Sequence, residues 1–598
     1  MTPPLHSVIP LPTATPEGPY EIASDQHVDT NSNLEILKLV DFVAQVRDDS
    51  RAFLSVDGDL RELGIILELV RNHLTGRLTT ASALADASGL SYGTAIRAID
   101  EMIRLGFIAK RPRTATGKSF SLHPSAELLR RWQIYADSIR ILAEALTVIG
   151  PSKARAGRKP PSRRMVETNP VIPPPAVLSS KLGLSRGLRV LVHADPTFMA
   201  MNALKRQLEL ILGVDIHSRA LSIDRLRDEI VSNGNARISN YDIIACDLPW
   251  FGEMADRGRL RPLDDLIARS AIDLCDFIPD ALASARWKGE QYGIPVMTTA
   301  EMLVHRTDLL EEAGVNPPRT IPELIEAARR LHNPGKNVFG LAWNGGRGTA
   351  LGHTFMTIMA AHGQPIVNLA PTSDGFDVEH AFGECLRPMF LSDGARDTAD
   401  FLRAIVAFSP PEILSMVWYD RARAYASGRA ALAYSHTLLA NIFERDPASP
   451  AYRRTGYAPH PTGPAGWPIS VLGGYALSIP SNIAPERVSA VWDAIEMLTS
   501  ASAAKLYILN GSLASPRFSV NRDPDVATVS PVIGVVDRMA REGVLRMWPR
   551  PPVPGVSMLI RVAGEEIHDM LFGLKTAPQA LADAQNRADA LMRGRGLY

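Results

Sequence analysis

The pattern of apolar residues changes near residue 187, and this change constrains the fold more than any other feature of the chain. From residue 187 onward, short apolar strands alternate with amphipathic helices, as in GLRVLVHAD followed by MAMNALKRQLELIL. Such alternation is typical of α/β proteins with a largely parallel sheet. Before residue 187 the apolar residues recur at helical spacing instead. We therefore expect a helical N-terminal part and an α/β C-terminal part.

Composition sets broad limits on structure and function. A chain of 598 residues is too long for one core, and its formal net charge is zero. Any affinity for nucleic acid would therefore have to come from a local basic patch. The three cysteines are far apart and lack the spacing of a zinc site. We expect a reducing compartment, no disulfide framework, no metal and no cofactor.

The first forty residues predict location. No Lys or Arg precedes Lys38, and prolines interrupt every apolar cluster before it. A secretory signal needs a basic start followed by about seven to fifteen apolar residues. A membrane span needs roughly eighteen uninterrupted apolar residues, and the chain has no such stretch. The expectation is a cytoplasmic protein without a membrane partner.

Four regions are predicted along the chain. They are a disordered tail (1–32), a helical head (33–149), a basic Pro-rich linker (150–186) and an α/β body (187–598). The last helix of the head, about 125–148, carries an apolar stripe at alternating steps of four and three. The stripe favours either a dimer seam or packing onto its own domain, and consists of Leu128, Trp132, Tyr135, Ile139, Leu142 and Leu146.

The head contains a pattern typical of a helix-turn-helix. Ala85 is small where two helices would nearly touch, and Gly89 fits a turn with positive φ. Ser91 is expected to cap the second helix. Its inward face is predicted to carry Ile96, Ile99 and Ile103. Its outer face, expected to enter the major groove, carries Ser91, Tyr92, Thr94 and Arg97.

A basic hairpin follows the second helix. Arg97 is the predicted base contact, and the hairpin residues Lys110, Arg111, Arg113 and Lys118 are further predicted DNA-binding residues. The unit resembles the α+β winged helix-turn-helix of MarR/ArsR-type regulators, which implies binding to double-stranded DNA. The alternative is a winged helix used for protein contacts.

Several segments of the body resemble the type 1 extracellular solute-binding proteins, the carbohydrate-binding subunits of ABC importers. These segments include YDIIACDLPWFGEMADRGRLRPLDDLI, QYGIPVMTTAEMLVHRTDLLEEAGVNPP, GRAALAYS and GGYALSIPSNIAPERVSAVWDAIEML. The resemblance implies a two-lobed α/β domain of the periplasmic-binding-protein type (type II) with a ligand cleft. Lobe 1 would take about 187–298 and 474–530, and lobe 2 about 299–473 and 531–598.

Loops at the carboxyl ends of the strands should meet at the cleft. Aromatic faces beside hydrogen-bonding groups suit a sugar or polyol, although each aromatic residue could equally be core. An arginine there would suit the acid group of a sugar acid. The predicted ligand-binding residues are His193, Asp195, Phe198, Asp247, Trp250, Thr298, Thr299, Trp343, Arg347, Trp418, Tyr434, His436, Gly474 and Tyr475.

The family often places a Trp after its GxAAM segment, where this chain has Ser435-His436-Thr437-Leu438. This departure weakens the sugar assignment there. The catalytic motifs HExxH, GxSxG and Walker are absent from the sequence, so no enzymatic activity is expected.

Together these patterns predict a cytoplasmic, ligand-responsive transcription regulator. Its expected partners are double-stranded DNA, a small polar effector and a second copy of the chain. The alternative is a solute-binding component of an ABC importer with an unusual N-terminal extension.

Overall fold

The structure is a computed structural model that describes residues 30–54, 62–112, 120–147, 171–464 and 466–598, without the side chains of 30–38 and 144–147. Arg113, Lys118, most of the predicted tail and residues 150–170 of the predicted linker lie outside the described residues. The chain divides into two compact units, Met1–Leu60 with Ile134–Pro160, and Arg61–Gln133 with Pro161–Tyr598. The domain limits predicted from the sequence stay a prediction.

The described N-terminal part contains helices and one hairpin. The helices are α1 (Thr30–Leu54), α2 (Leu63–Leu74), α3 (Ala81–Ala87), α4 (Tyr92–Arg104) and α5 (Ala126–Thr147). The hairpin pairs β1 (Ile108–Pro112) with β2 (Phe120–Pro124) in antiparallel register.

The first unit joins α1 to the C-terminal half of α5. Ser50 Oγ donates a hydrogen bond of 3.0 Å to the hydroxyl of Tyr135, a buried residue of the predicted stripe. Ser138 Oγ donates to the Asp49 carboxylate, which also accepts a 2.8 Å bond from Gln45 Nε2. At Tyr135, therefore, the stripe packs within its own chain, as the second of the two interpretations predicts.

Local signals in the predicted helix-turn-helix correspond to observed turns and caps. Gly89 has a φ of +70°, and the Ser91 side chain accepts the Thr94 backbone N–H at the start of α4. Both predictions are confirmed. The buried face of α4 differs from the prediction: it consists of Ala95, Ile99 and Met102, whereas Ile96 and Ile103 are only partly buried. The buried face is therefore centred on Ile99, as predicted, but is shifted by one position along the helix at either side, to Ala95 and Met102.

The hairpin also differs from a fully exposed basic wing. Arg111 is buried, with only 6% of its surface exposed, and burial lowers its pKa. Its guanidinium therefore does not face solvent as a phosphate contact requires. The Nζ atom of Lys110 lies 4.5 Å from the centre of the Phe120 ring. Arg97 on α4 is exposed, and its Nε donates a hydrogen bond to the Gly93 carbonyl.

One mixed sheet forms the centre of the body, and its strands follow the order β4-β3-β5-β14-β8-β12-β9. β13 also pairs with β8, and β15 with β14. The strands are β3 (Leu188–His193), β4 (Ile216–Leu221), β5 (Ile243–Asp247), β8 (Ile294–Arg306), β9 (Phe339–Ala342), β12 (Ala430–His436), β13 (Thr455–Ala458), β14 (Ser470–Ser478) and β15 (Leu545–Arg546). Two small hairpins are separate: β6 (Arg286–Trp287) with β7 (Glu290–Gln291), and β10 (Ala370–Thr372) with β11 (Gly375–Asp377).

Two long strands join the halves of this sheet. β8 has 13 residues and β14 has nine, and every residue of both strands is buried. They pair antiparallel to each other, with the parallel strands β5, β3 and β4 on one side and β12 and β9 on the other. Burial along the whole length of a strand is expected where both faces of a sheet are covered. The crossing strands therefore connect two α/β lobes.

Helices cover both lobes: α8 packs on β3 and β4, whereas α13 and α16 pack on β9 and β12. In chain order the helices are α6 (Pro196–Ala203), α7 (Lys205–Leu212), α8 (Ile223–Gly234), α9 (Phe251–Asp256), α10 (Asp264–Ile267), α11 (Pro279–Ser284), α12 (Thr307–Ala313), α13 (Ile321–Leu331), α14 (Thr349–Ala361), α15 (Asp393–Ile405), α16 (Trp418–Ala426), α17 (Asn441–Glu444), α18 (Val488–Leu498), α19 (Ala501–Leu509), α20 (Phe518–Asn521), α21 (Pro524–Ala527), α22 (Pro531–Arg541), α23 (Val556–Leu571) and α24 (Ala577–Arg593). Within the described ranges, none of the helices is long and apolar enough to span a bilayer.

The end of the predicted linker packs on the body. Lys505 Nζ donates to the Ile172 carbonyl at 2.9 Å and forms an ion pair with Asp523 at 3.0 Å. The Ile172 N–H donates to the same Asp523 carboxylate, and Val177 is buried nearby in the core. This segment is therefore anchored by buried polar contacts rather than acting as a free tether.

Candidate functional site

A cavity of about 750 Å³ opens where the two lobes meet. From the first lobe it is lined by His193 at the end of β3, Asp247 at the end of β5, and the Trp250 turn. From the second lobe it is lined by His436 at the end of β12 and by the start of α16 at Trp418. Carboxyl ends of parallel strands are where α/β folds place their ligands. The cavity therefore lies where the topology predicts a binding site.

Aromatic side chains form much of the cavity wall. Tyr475 on β14 stacks on the His193 ring at 5.3 Å, and Phe198 packs edge-on against Tyr475 from outside the cavity lining, at 5.7 Å. Trp418 packs edge-on against His353 at 5.8 Å. Each ring is held by a second ring, so its orientation is largely fixed before any ligand enters.

An ion pair lies in the wall between the lobes. Arg550 Nη2 donates to Asp247 Oδ2 at 2.6 Å, and only 3% of the Asp247 side chain is exposed. Burial raises the pKa of Asp247, and the guanidinium of Arg550 opposes that rise. A buried carboxylate so paired can still accept bonds from ligand hydroxyls, because each oxygen has more than one lone pair.

Beneath His436 lies a second buried ion pair. Arg421 Nη1 donates to Glu301 Oε1 at 2.5 Å, with 0% and 3% of the two side chains exposed. His436 Nε2 lies 3.3 Å from Glu301 Oε2, and His460 Nε2 lies 3.0 Å from the Glu301 carbonyl. The cationic Arg421 holds the pKa of Glu301 well below its usual range despite burial.

Charged side chains at the remaining wall are mostly paired. Arg227 Nη2 donates to Glu253 at 2.8 Å, and Arg595 lies 3.8 Å from the same carboxylate. Arg587 on α24 pairs with Glu565 on α23 at 2.5 Å. These partners compensate for most of the cationic lining, so the cavity does not present an uncompensated cluster of positive charge.

Gly474 brings the backbone of β14 close to the cavity. Its φ is +136°, a conformation that residues with a side chain rarely adopt. A Cβ atom there would lie 2.2 Å from the Met297 carbonyl oxygen on β8. The close approach of the two crossing strands therefore requires glycine at this position.

The structure brings eight of the fourteen predicted ligand residues into the cavity lining. They come from both lobes and from the crossing strands between them. These eight residues are His193, Asp247, Trp250, Thr299, Trp418, His436, Gly474 and Tyr475.

The six other predicted residues lie outside the lining. Asp195 is buried and caps α6 by accepting the N–H groups of Thr197 and Phe198. Phe198 supports Tyr475 from behind, as described above. Thr298 is buried beside Thr299 but is absent from the lining, as expected when neighbours on a strand point to opposite faces.

The last three of the six are held by other partners. Trp343 is buried, and its Nε1 donates to Ser409 Oγ at 2.8 Å. Arg347 pairs with Asp569 at 3.1 Å, outside the cavity lining. Tyr434 is buried against the His460 ring at 4.7 Å.

Sequence reasoning missed a large part of the lining, because it considered only loops that follow strands. The wall also contains residues from the first turn of α8, from α14, and from the C-terminal helices α23 and α24. The missed charged residues and histidine are Asp224, Arg227, His353, Arg550, Arg561, Glu565, Arg587 and Arg595. The Pro-rich loop around Arg550 is the one local signal that could have indicated an irregular, functional segment.

Among the residues with described side chains, no group of three or more His, Cys, Asp or Glu could hold a metal ion. The cavity lies between two α/β lobes and is lined by residues of both. Residues 229–505 match the model of the family described as bacterial extracellular solute-binding protein. A solute-binding domain of this type therefore lies in the C-terminal region.

Curated relatives agree with this match. The chain is 22% identical over 418 residues to a probable amino-acid ABC transporter periplasmic-binding protein of Sinorhizobium fredii, covering 68% of this chain and 90% of the relative. It is 23% identical over 395 residues to a mannitol-binding protein of Pseudomonas aeruginosa, covering 62% of this chain and 84% of the relative.

Solved structures with the same fold include an ABC transporter solute-binding protein of Agrobacterium radiobacter in complex with ribitol. It has a TM-score of 0.62 and 24% identity, and covers 69% of this chain and 100% of that one. A solute-binding protein of Agrobacterium vitis with bound D-mannitol has a TM-score of 0.57 and 19% identity, and the match covers 68% of this chain and 99% of that one. The two-lobed periplasmic-binding-protein fold predicted for the body is confirmed.

These comparisons contradict the primary functional prediction. The matched family is described as extracellular. One relative is named as a probable periplasmic-binding protein of an ABC transporter and the other as a mannitol-binding protein, and neither is named as a regulator. The predictions of a cytoplasmic location, of DNA as partner, of no membrane partner and of transcription regulation are therefore wrong. The alternative made from the sequence, a solute-binding component of an ABC importer, agrees better with the comparisons.

Proposed function

We propose that the protein is the solute-binding component of an ABC importer and that it binds a sugar or polyol. The cavity between the lobes carries this proposal. Its volume of about 750 Å³ falls within the roughly 300–1,000 Å³ of typical small-molecule sites. The relative named as a mannitol-binding protein and the solved complexes with ribitol and D-mannitol support the same ligand class.

The chemistry of the wall supports a polyhydroxyl ligand. The C–H faces of a sugar or polyol can pack on Trp418 and Tyr475, while its hydroxyls pair with Asp247, Arg550 and His436. Hydroxyl groups both donate and accept, which suits a wall that alternates carboxylate, guanidinium and imidazole. The eight lining residues predicted from the sequence are proposed as ligand contacts.

We also propose that the protein works outside the cytoplasmic membrane and delivers its solute to a membrane permease. The family description and the named relatives support this location. Cell fractionation with an antibody against the chain measures it. Recovery of the protein with cytoplasmic markers alone would contradict the proposal.

For the N-terminal part we propose only a fold. The order of α2, α3, α4 and the β1–β2 hairpin supports a winged helix-turn-helix arrangement. So does the positive φ of Gly89 between α3 and α4.

Calorimetric titration tests the ligand class. Ribitol, D-mannitol and maltose are titrated into the full chain, with glutamate and arginine as amino-acid comparisons. Trp418→Ala should weaken binding of the preferred polyol or sugar at least about tenfold, because a ring in the wall is lost. Trp467 is a matched control, since it is partly exposed and lies outside the cavity lining.

The Trp467→Ala variant should bind like the unmodified chain. Binding of amino acids alone would contradict the ligand class. Equal losses in the Trp418→Ala and Trp467→Ala variants would contradict the assignment of the cavity as the binding site.

A further inference from the structure

One arginine of the cavity lining has no anionic partner. The lining contains five arginines, and four of them have a carboxylate oxygen within 3.8 Å, namely Arg227, Arg550, Arg587 and Arg595. The fifth, Arg561 on α23, is exposed and lines the cavity. Among the described residues, none forms an ion pair or a hydrogen bond with its side chain. Its guanidinium is therefore available to a ligand.

The packing of α23 fixes the face that this helix presents to the cavity. Ser557, Arg561 and Glu565 follow one another at intervals of four residues and all line the cavity, so they share one face of the helix. The backbone of α23 lies close to α14, because a Cβ atom added at Gly352 or at Gly564 would collide with a backbone carbonyl of the facing segment. The position of Arg561 is thus set by a tightly packed helix rather than by a loop.

The nearest acid along α23 is already paired with another cation. Glu565 follows Arg561 by one turn, at a spacing at which arginine and glutamate commonly pair on a helix. It pairs instead with Arg587 on α24 at 2.5 Å. The next acid, Glu566, is buried and pairs with Arg587 and with Lys575. Neither carboxylate therefore forms an ion pair with Arg561.

Asp224 on the other lobe is also unpaired in the described part of the chain. It lies in the first turn of α8 and lines the cavity, but it is not within ion-pair distance of Arg561. One turn further along α8 is Arg227, which shares the single carboxylate of Glu253 with Arg595. The negative charge of Asp224 therefore has a surplus of positive charge on its own side, whereas Arg561 does not have a free carboxylate beside it.

A ligand that fills this end of the cavity displaces water from Arg561. Removing water from a guanidinium without a compensating acceptor is costly, and a neutral hydroxyl compensates less than an anionic oxygen does. Carboxylate and phosphate groups match the arginine fork with two parallel hydrogen bonds. The cavity of about 750 Å³ has room for about 25 water volumes, so a polyhydroxyl part and an acidic group fit together.

We propose that Arg561 is an anion-binding residue of the cavity and that the preferred solute is a sugar or polyol derivative with a carboxylate or phosphate group. This inference rests on the proposed function and narrows its ligand class. The polyhydroxyl part of the solute packs on Trp418 and Tyr475, and the acidic group pairs with Arg561. Specificity for the acidic derivative comes from the one lining arginine that the protein leaves without an ion pair.

Calorimetric titration of matched compounds measures this preference. The full chain is titrated at pH 7 with the neutral compounds ribitol, D-mannitol and maltose, and with the acids D-ribonate, D-mannonate and maltobionate. Ribitol 5-phosphate and D-mannitol 1-phosphate distinguish phosphate from carboxylate. At least one acidic compound should bind about tenfold or more tightly than its neutral counterpart. Acids that bind no more tightly than the neutral compound in every pair would overturn the inference.

Variants at Arg561 separate its charge from its size. Arg561→Gln removes the charge and should abolish the advantage of the acidic compound, while the neutral counterpart keeps its affinity within about twofold. Higher salt should weaken binding of the acid to the unmodified chain, with little effect on the neutral compound. The matched control is Arg538→Gln, because Arg538 on α22 is also exposed and unpaired among the described residues but lies outside the lining.

The control should bind like the unmodified chain, and equal losses in the two Gln variants would overturn the inference. A contact between the lobes is the competing explanation. If Arg561 pairs with Asp224 instead, Arg561→Gln and Asp224→Asn would weaken neutral and acidic compounds equally. The exchange of Asp224→Arg with Arg561→Asp would then restore both affinities, and this result would also overturn the inference.

The same titrations distinguish failure of this inference from failure of the proposed function. If neutral compounds bind and the acids bind no better, the proposed function stands and the role of Arg561 fails. If no compound of either kind binds, both fail. Melting temperatures close to that of the unmodified chain show that the variants are folded, as expected for exposed side chains.

Discussion

Removing Arg421 should destabilise the body strongly, because Glu301 would be left as a buried charge without its cation. The two side chains are 0% and 3% exposed, and their atoms lie 2.5 Å apart. Breaking a buried ion pair on one side costs about 3–5 kcal/mol. Arg421→Met keeps most of the side-chain volume, so the loss reports charge rather than packing. We expect a value near the lower end, since His436 can take up a proton beside Glu301.

The pH dependence of this loss has a definite sign. In the unmodified chain the pKa of Glu301 is lowered in the folded state. The ion pair therefore stabilises the fold above the unfolded pKa of glutamate, about 4.3, and this stabilisation is lost as pH falls toward the lowered folded pKa. In Arg421→Met the buried carboxylate is unpaired, so its pKa should rise and its protonation should relieve the penalty at low pH. The difference in free energy of unfolding between the two chains should therefore be larger at pH 7 than at pH 4.5.

Urea unfolding of the full chain at both pH values, followed by tryptophan fluorescence, measures this difference. The double variant Glu301→Leu with Arg421→Met removes both charges and should recover most of the loss. A loss below about 1 kcal/mol, a loss that does not change with pH, or a double variant less stable than Arg421→Met would refute the reasoning.

Two further predictions concern the backbone and the anchored segment. Gly474→Ala should cost more than about 2 kcal/mol, because its Cβ would collide with the Met297 carbonyl at a positive φ. Gly534 lies on α22, where an added Cβ would meet no atom within 4 Å, so Gly534→Ala should instead stabilise the chain by up to about 1 kcal/mol. The melting temperatures of the two variants measure the difference. Lys505→Met should free the segment at Ile172 and speed its cleavage in limited proteolysis. An unchanged cleavage rate would show that Lys505 does not hold the segment.

The failed functional prediction has a physical explanation. A glycine turn, a capping serine and a basic hairpin are local features, and the structure contains the turn and the cap at Gly89 and Ser91. Local features define a supersecondary arrangement, but they do not define what the arrangement binds. Arg111 shows the difference, since it reads as an exposed cation in the sequence and is buried in the structure.

The sequence by itself determined the alternation of strands and helices, because apolar periodicity and capping depend on residues a few positions apart. It therefore predicted β3, β5 and the loops after them, and with these His193, Asp247 and Trp250 in the cavity lining. It also placed Gly474 among the cleft residues, and Gly474 lines the cavity.

Only the tertiary structure decided which face of a strand each side chain occupies and which residues distant in sequence contact it. Thr298 and Thr299 are adjacent and chemically identical, yet only Thr299 lines the cavity, since the pleat sends neighbours to opposite faces. Arg550 reaches Asp247 across 303 positions of sequence. No local pattern encodes such a meeting, because it depends on how the two lobes pack around the crossing strands.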